Sequence, residues 1–257
     1  SIAGTLASDT ALVTQRPFRS PHHSISAAGL TGGGTVPRPG ELSLAHNGVL
    51  FLDELPEFRR EVLESMRQPL EDGVVTISRV SASLTYPCNL MLVASMNPCK
   101  CGYFGAPGHR CSCTPAQIDA YRSKISGPLL DRIDIQVEVA AVDYGALSGK
   151  SGGDSSEMIK ERVNRARQIQ RERYKGLSIY SNSQLNAGQI EEFCRIGQAE
   201  HTLLKRAFDS MGFSARAYSR ILKVARTVAD LDGAKDIGTA HILSAIQYRS
   251  LDRKYFE

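Results

Sequence analysis

The feature that most constrains this chain is a short apolar run that ends in two acidic residues. Val49 to Leu52 carries only apolar side chains, Gly48 precedes it and Asp53-Glu54 follow it. Such a run is typical of a strand buried on both faces of a parallel sheet. Ligands bind beyond the carboxyl ends of parallel strands, so these carboxylates are placed where a phosphate ligand is expected. The alternative is a solvated pair at the positive end of a following helix.

Two further segments have strand character. Leu90 to Met96 is an apolar strand candidate that Asn97-Pro98 ends abruptly, and Ile133 to Val142 alternates apolar with polar residues. In a parallel sheet, the amide of Asn97 would lie beside the carboxylates and could orient a water molecule. Its alternative role is to form an Asn-Pro turn.

The segments around these strands predict loops, a helix and a hairpin. Residues 15–47 are rich in Ser, Gly, Pro and His, which predicts an extended loop or insertion. A helical pattern begins at Pro56 and ends near Gly73. Val74 to Ser78 and Ala82 to Tyr86 are strand-prone and flank a short polar tip that holds Arg79, which predicts a hairpin.

The rest of the chain predicts helices. Gly and Ser dominate residues 143–156, as in a linker, and five apolar stripes at helical spacing follow. The predicted layout is an α/β core over 1–142, a linker over 143–156 and a helical domain over 157–257.

Bulk composition excludes little. The chain has 257 residues, of which 42% are apolar, so it can bury a core, and its net charge of +4 is too small to argue for nucleic acid. It contains neither 18 consecutive apolar residues nor a secretion signal, so we expect a cytoplasmic protein without a membrane partner. It opens on Ser1 and not on Met, and we expect a fragment of a longer protein.

Several segments resemble the YifB/ComM-type magnesium-chelatase-like AAA+ ATPases. The resemblance is most specific over residues 17–134 and looser in the helical part, where it includes Ser214 to Tyr218 and Val224 to Ala229. The specific segments are Pro17 to His23, Pro37 to Glu41, Leu44 to Pro56, Ser95 to Cys99 and Ser126 to Asp134. The resemblance implies a partial AAA+ parallel-sheet core with hairpin insertions and an all-α lid.

The resemblance also implies roles for single residues. Asp53 matches the Walker B aspartate that holds Mg²⁺, and Glu54 matches the catalytic base. Asn97 matches the sensor that positions the attacking water. Arg132 matches the arginine finger that reaches a neighbouring subunit's ATP, and Arg216 matches the second sensor, which contacts the γ-phosphate.

The resemblance also implies that the protein assembles into a ring and acts on DNA. Members of this family assemble into rings, here expected to be hexamers, and in related helicases loop 19–40 and the hairpin face the central pore. Arg79 is therefore a candidate contact to a DNA backbone, and a solvated hairpin tip is the alternative.

The phosphate-binding loop, Gly-x-x-x-x-Gly-Lys-Ser/Thr, is missing from the sequence. Gly145 to Ser151 imitates it but is one residue short between its glycines, and Gly152-Gly153 would oppose the required helix. We expect this polypeptide alone to have negligible ATPase activity, although a longer parent would have it.

Four cysteines form a Cys-x-Cys-x9-Cys-x-Cys pattern. Four thiolates can close a tetrahedral zinc site, although Cys-x-x-Cys is the stronger zinc signature. Free thiols in a loop and disulfides formed during handling are the alternatives, and His109 is a candidate substitute ligand. The four are Cys99, Cys101, Cys111 and Cys113; the two isolated cysteines, Cys88 and Cys194, are expected to be buried hydrophobes.

Three functions compete at this stage. The first is an ATP-driven motor that acts on DNA, and the second is a chelatase-type subunit that remodels a protein. The third is a non-catalytic, zinc-stabilised binding module that uses the AAA+ core as a scaffold. His22-His23 are excluded as metal ligands because adjacent side chains point in different directions, so a structural or hydrogen-bonding role is expected.

Overall fold

The computed structural model describes residues 15–79, 82–106, 108, 110–139 and 153–249. Contacts divide the chain into two compact units, with the boundary between Ile133 and Asp134. We call them the α/β unit, for the described residues up to Ile133, and the helical unit, for those from Asp134 onward. Most of the predicted linker, 143–156, lies outside the described ranges.

The α/β unit combines seven short strands with six short helices. Its strands are β1 (Phe18–Arg19), β2 (Gly32–Gly33), β3 (Arg38–Pro39), β4 (Val49–Leu52), β5 (Val74–Arg79), β6 (Ala82–Pro87) and β7 (Met91–Ala94). Its helices are α1 (Ala27–Thr31), α2 (Glu41–Leu44), α3 (Arg60–Ser65), α4 (Arg67–Asp72), α5 (Pro115–Arg122) and α6 (Gly127–Leu130), with a 3₁₀ turn at Leu55–Glu57.

The central sheet has three parallel strands in the order β1-β4-β7. Leu52 pairs with Ala94, and Phe18 pairs with Val49, so all three strands end at one edge. The predicted strands at 49–52 and within 90–96 are confirmed. The predicted α/β fold with a parallel sheet, followed by helices, is confirmed as well.

The predicted strand at Ile133 to Val142 is wrong over its described part. Residues 133–139 have no strand structure, and Val137 and Val139 are 63% and 83% exposed. The N–H of Gln136 donates to the carbonyl of Tyr248 at 2.7 Å, within the helical unit. The third strand is instead β1, which lies in the segment predicted as a loop.

The central sheet is buried on one face only. Leu50 and Leu52 are fully buried, whereas Phe18, Met91 and Val93 on the neighbouring strands are exposed. The expectation that β4 is covered on both faces is therefore wrong in this structure. On the covered side the sheet packs against the core that includes Phe58, Val62, Leu63 and Met66.

The predicted hairpin and helix are present with adjusted bounds. β5 and β6 pair antiparallel, and Arg79 is the last residue of β5, opposite Ala82. The helix predicted between Pro56 and Gly73 is broken at Met66 into α3 and α4, and Gly73 ends α4 with a φ of 67°.

The helical unit contains the five helices that the apolar stripes predict. They are α7 (Ser156–Arg173), α8 (Ala187–Phe193), α9 (Gln198–Met211), α10 (Ala215–Leu231) and α11 (Thr239–Gln247), with a 3₁₀ turn at Asn182–Gln184. Ser155, Asn186 and Ser214 cap α7, α8 and α10 through their side-chain oxygens. No helix in the described ranges is both long and apolar enough to cross a membrane.

Candidate functional site

The candidate site lies at the carboxyl edge of the central sheet. The parallel register of β4 and β7 brings Asp53 and Ser95 together as the first residues after the two strands. The N–H of Ser95 donates to the carbonyl of Leu52 at 3.0 Å, and the N–H of Leu55 donates to the carbonyl of Ser95 at 2.9 Å. The backbone of both strand ends is therefore fixed where the polar side chains begin.

Ser95 joins the two acidic residues through its hydroxyl group. This hydroxyl donates a hydrogen bond to Oδ1 of Asp53 and accepts one from the N–H of Glu54 at 3.2 Å. The same N–H lies 3.1 Å from Oδ1 of Asp53. One carboxylate oxygen of Asp53 is thus held by the protein. Sequence reasoning missed Ser95, although its position after β7 matches that of Asp53 after β4.

Glu54 has a left-handed backbone, with φ 53° and ψ 51°. This conformation is uncommon for residues other than glycine. It ends the strand sharply and leaves the Glu54 side chain 52% exposed at the edge. The carboxylate is therefore accessible to a small molecule.

His23 lies beside Glu54, a contact that sequence reasoning did not find. Its Nδ1 is 3.9 Å from Oε2 of Glu54, and its ring packs on His22 at 4.0 Å and edge-on to Phe58 at 6.3 Å. His23 follows β1 as Glu54 follows β4, so all three strands contribute a polar residue to this edge.

Asn97 follows β7 at the same edge as Asp53. Asn97 is exposed. Burial, followed by the carboxylate of Glu57, raises the pKa of Tyr121 on α5, and the backbone N–H of Asn97 opposes this shift. The backbone of Asn97 therefore lies near α5, and the water-positioning role of its amide stays a prediction.

Arg132 is placed against α4 and α6. Its guanidinium donates to the carbonyl of Pro128 at 2.6 Å and forms an ion pair with Glu71, and its side chain is only 7% exposed. It lines a cavity of about 310 Å³ with Glu64, Arg67, Gln68 and Glu71. Its implied action on a neighbouring subunit stays a prediction.

The two remaining arginines lie on separate elements. Arg216 is an exposed residue in the first turn of α10, in the helical unit. The backbone of Arg79 ends β5, and the turn residues 80–81 lie outside the described part of the chain. The imitation phosphate loop, Gly145 to Ser151, and the candidate ligand His109 also fall outside it.

The four clustered cysteines form a compact group. Their sulfur atoms all lie within 4.8 Å of one another, and three of the separations are 3.3, 3.5 and 3.7 Å. None of the four is in a disulfide. The two isolated cysteines are buried as predicted, and burial raises the pKa of Cys88 and of Cys194 to about 11.

Nearby backbone N–H groups lower the pKa values of the clustered thiols to different extents. Those of Tyr103 and Ser112 lower the pKa of the Cys101 thiol to about 5. The N–H of Cys113 favours the thiolate of Cys111, but burial and the nearby sulfur atoms outweigh it and raise the pKa of Cys111 to about 12.

The strand-end residues fit magnesium better than a softer metal. Mg²⁺ prefers oxygen ligands and keeps several of its waters. Asp53 offers a carboxylate with one oxygen held by Ser95, and both residues lie at an open edge. The sequence has no phosphate-binding loop, so these residues can hold a metal but do not themselves form a triphosphate cradle.

Known protein families match the chain over both units. The magnesium chelatase subunit ChlI family matches residues 1–147, and the ChlI C-terminal family matches residues 153–249. The chain therefore belongs to the magnesium-chelatase-like family, and within it to the YifB/ComM type.

Individual relatives support the same assignment. The competence protein ComM of Haemophilus influenzae is 46% identical over 240 residues, which are 93% of this chain and 46% of that protein. YifB of Escherichia coli is 45% identical over 240 residues, with the same coverage of both chains. The chain thus spans about half the length of the curated relatives it matches.

Proposed function

We propose that this chain supplies the magnesium-holding and water-activating residues of a ring-forming ATPase that remodels or translocates DNA. The observation that carries this proposal is the register of β4 with β7, which sets Asp53, Glu54 and Asn97 at one edge of one sheet. Members of the magnesium-chelatase-like family are generally AAA+ ATPases and generally oligomeric. A hexamer is the ring we propose.

Each residue at the edge has a distinct task. Bound Mg²⁺ and ATP would supply a phosphoryl group whose charge the metal neutralises. Asp53 would hold the metal, with its orientation fixed by Ser95. Glu54 would accept a proton from water at its exposed carboxylate, and the amide of Asn97 would orient that water. Arg132 and Arg216 would contact the phosphates from a neighbouring subunit and from the lid.

Replacing Glu54, the proposed catalytic base, tests the proposed ATP hydrolysis. In a protein that carries this chain together with a phosphate-binding loop, Glu54→Gln should lower the ATP hydrolysis rate about 10²- to 10⁴-fold and leave ATP binding intact. Glu57→Gln is a matched control, because Glu57 is also exposed and lies on the next turn. An unchanged hydrolysis rate in Glu54→Gln would reject the proposal.

The same variant separates the motor from a non-catalytic binding module. The group of four cysteines favours that second function, since such a group can stabilise a scaffold without catalysis. A binding module would keep its cellular function in Glu54→Gln, whereas a motor would lose it. We favour the motor because the strand ends combine the required acid, amide and hydroxyl groups at one edge.

The choice of DNA as the substrate is tested at the hairpin, by replacing Arg79. One relative is named a competence protein, which favours DNA over a protein client. Arg79→Ala should weaken DNA binding similarly for all sequences and reduce the slope of affinity against salt by about one. Arg171→Ala, which removes an exposed arginine on α7, is the control. Full DNA affinity in Arg79→Ala would exclude this contact, and hydrolysis stimulated only by a protein would indicate the chelatase-type alternative.

A further inference from the structure

We propose that Cys99, Cys101, Cys111 and Cys113 bind one zinc ion, and that this ion positions Asn97. The metal site is inferred from the sulfur atoms alone. Its effect on Asn97 rests on the proposed function, and the two parts are tested by separate measurements.

The sulfur separations fit a single tetrahedral ion. Zinc–sulfur bonds of about 2.3 Å place the ligand atoms about 3.8 Å apart in a tetrahedron. Three of the six separations, those among Cys99, Cys101 and Cys111, are 3.3 to 3.7 Å and lie near this value. A disulfide would need about 2.0 Å, so the observed geometry favours metal coordination over cross-linking. All four atoms lie within 4.8 Å of one another, which leaves room for one ion.

The loop around the cysteines supplies the remaining features of a metal site. Residues 99–113 contain no acidic residue, and Lys100 and Arg110 are adjacent to three of the four ligands, so they can offset the charge of a four-thiolate centre. Gly102, Gly105 and Gly108 have positive φ values and let the loop return on itself.

The same loop is attached to the catalytic edge. Cys99 is fully buried and lies two residues after Asn97. The carbonyl of the intervening Pro98 accepts a hydrogen bond from Arg122 at 3.1 Å, and Arg122 stacks on Phe104 inside the loop at 4.7 Å. Fixing the loop with a metal therefore fixes the chain on the Pro98–Cys99 side of Asn97, while β7 fixes it on the other side.

Metal analysis of this chain tests the site. Protein purified in reducing buffer without chelator should carry about one zinc per chain. The Cys101→Ser/Cys111→Ser double variant should retain less than about a tenth of that, because two thiolates do not close a tetrahedral site. Cys194→Ala, which removes a thiol from the helical unit, should keep the full content. A wild-type chain that retains no zinc after incubation with excess Zn²⁺ overturns the site, and stoichiometric iron overturns the choice of metal.

Replacing zinc by cobalt in the wild-type chain provides a spectroscopic test that does not depend on how well a variant folds. The wild-type chain reconstituted with Co²⁺ should show the visible absorption of tetrahedral cobalt with sulfur-to-metal charge transfer. Cys113→His keeps four ligands and should keep a tetrahedral spectrum with weaker charge transfer. A wild-type spectrum typical of octahedral cobalt contradicts the four-thiolate assignment.

The positioning of Asn97 has its own readouts. Removal of zinc should accelerate hydrogen exchange in the segment 95–99 by at least about tenfold, since local opening is no longer opposed by the loop. Arg122→Ala, which removes the hydrogen bond to the carbonyl of Pro98, should accelerate the same exchange while the zinc content stays at one. In the longer protein, both changes should lower kcat and leave KM for ATP unchanged. Unaltered exchange after zinc removal rejects the positioning role, and it does so whether or not the ATPase proposal holds.

Discussion

At the scale of single residues, Ser95 has the most informative contacts in the site. One hydroxyl group connects the acid that follows β4, the next residue's N–H and the end of β7. Because this hydroxyl orients the carboxylate that we propose to hold Mg²⁺, its removal should affect activity much more than stability.

We predict this separation for Ser95→Ala. In a protein that also carries a phosphate-binding loop, the hydrolysis rate should fall about 10- to 100-fold, as is usual when a partner of a metal ligand is lost. The free energy of unfolding should change by only about 1 kcal/mol. Ser65→Ala, which removes a hydroxyl that donates within α3, should leave the rate unchanged. Equal rates in the two variants would show that Ser95 does not orient Asp53.

Gly48 allows β1 and β4 to approach each other. A Cβ atom at this position would lie 2.0 Å from the carbonyl oxygen of Pro17, which accepts a hydrogen bond from Val49. No side chain fits there unless the two strands separate.

Gly48→Ala should therefore destabilise the α/β unit by about 1–3 kcal/mol, the usual range for overpacking, and more if the strands separate. Gly127→Ala is the control, since a Cβ atom there meets nothing within 4 Å. Urea unfolding followed by circular dichroism measures both. A Gly48→Ala chain as stable as the wild type would mean that β1 moves away without cost.

At the scale of elements, sequence patterns located the strands that have strong local signals. β4 and β7 are apolar runs bounded by turn residues, and both were predictable. β1 was not, because its two residues lie between Pro17 and Pro21 and owe their strand structure to pairing with β4. Residues 133–139 alternate apolar with polar side chains, as a strand does, but they pair with no strand in the described part of the chain. The alternation alone therefore predicted a strand that does not form.

The residues of the candidate site were predictable to a similar extent. Asp53 and Asn97 follow recognisable strands, so their common edge could be inferred. His23 could not, because its approach to Glu54 depends on β1. The first apolar stripe, predicted from Ile159, Val163, Ala166 and Ile169, shows the same limit. Ala166 is buried, but Ile159 and Val163 are exposed, and α7 also buries the polar Gln170.

In the helical unit, a buried ionic network joins α7 to α10. Asp230 is fully buried and accepts hydrogen bonds from Arg173, Arg226 and Asn182. Burial alone would raise the pKa of Asp230, but the hydrogen bonds from Arg173 and Asn182 outweigh it and hold the pKa below its ordinary value.

Acid should therefore weaken the helical unit. A carboxyl with a depressed pKa stabilises the fold above its unfolded pKa of about 3.9, and this contribution is lost as the pH falls through the folded value. Asp230→Ala should cost about 3–5 kcal/mol at neutral pH, because it leaves Arg226 buried without its carboxylate. It should also reduce the loss of stability between about pH 5 and pH 2.

Thermal unfolding across that pH range, followed by circular dichroism, measures both effects. Asp209→Asn changes an exposed carboxylate on α9 and serves as the control. Equal acid sensitivity in Asp230→Ala and in the wild type would contradict the assignment to Asp230.

At the scale of the whole molecule, the chain combines the proposed catalytic groups with a sequence that lacks a phosphate-binding loop. The sequence contains no phosphate-binding loop, whose N–H groups and lysine provide most of the attraction for ATP. We predict that this polypeptide alone binds Mg-ATP with a Kd above about 1 mM, so its binding free energy should be weaker than about 4 kcal/mol.

Isothermal titration with Mg-ATP, accompanied by a phosphate-release assay, checks this prediction. Asp53→Asn should bind no more weakly than the wild-type chain if nothing cradles the triphosphate. Micromolar affinity of the wild-type chain would require a phosphate site elsewhere in the molecule.

The left-handed backbone at Glu54 also restricts which residues related proteins can carry at this position. Asn, Asp and Gly adopt this backbone readily, whereas β-branched residues do not. If Glu54 is the proposed catalytic base, relatives that do not hydrolyse ATP should carry one of these three residues at this position and not Val, Ile or Thr. Asparagine or glycine at this position would then identify a relative that has lost the ATPase activity.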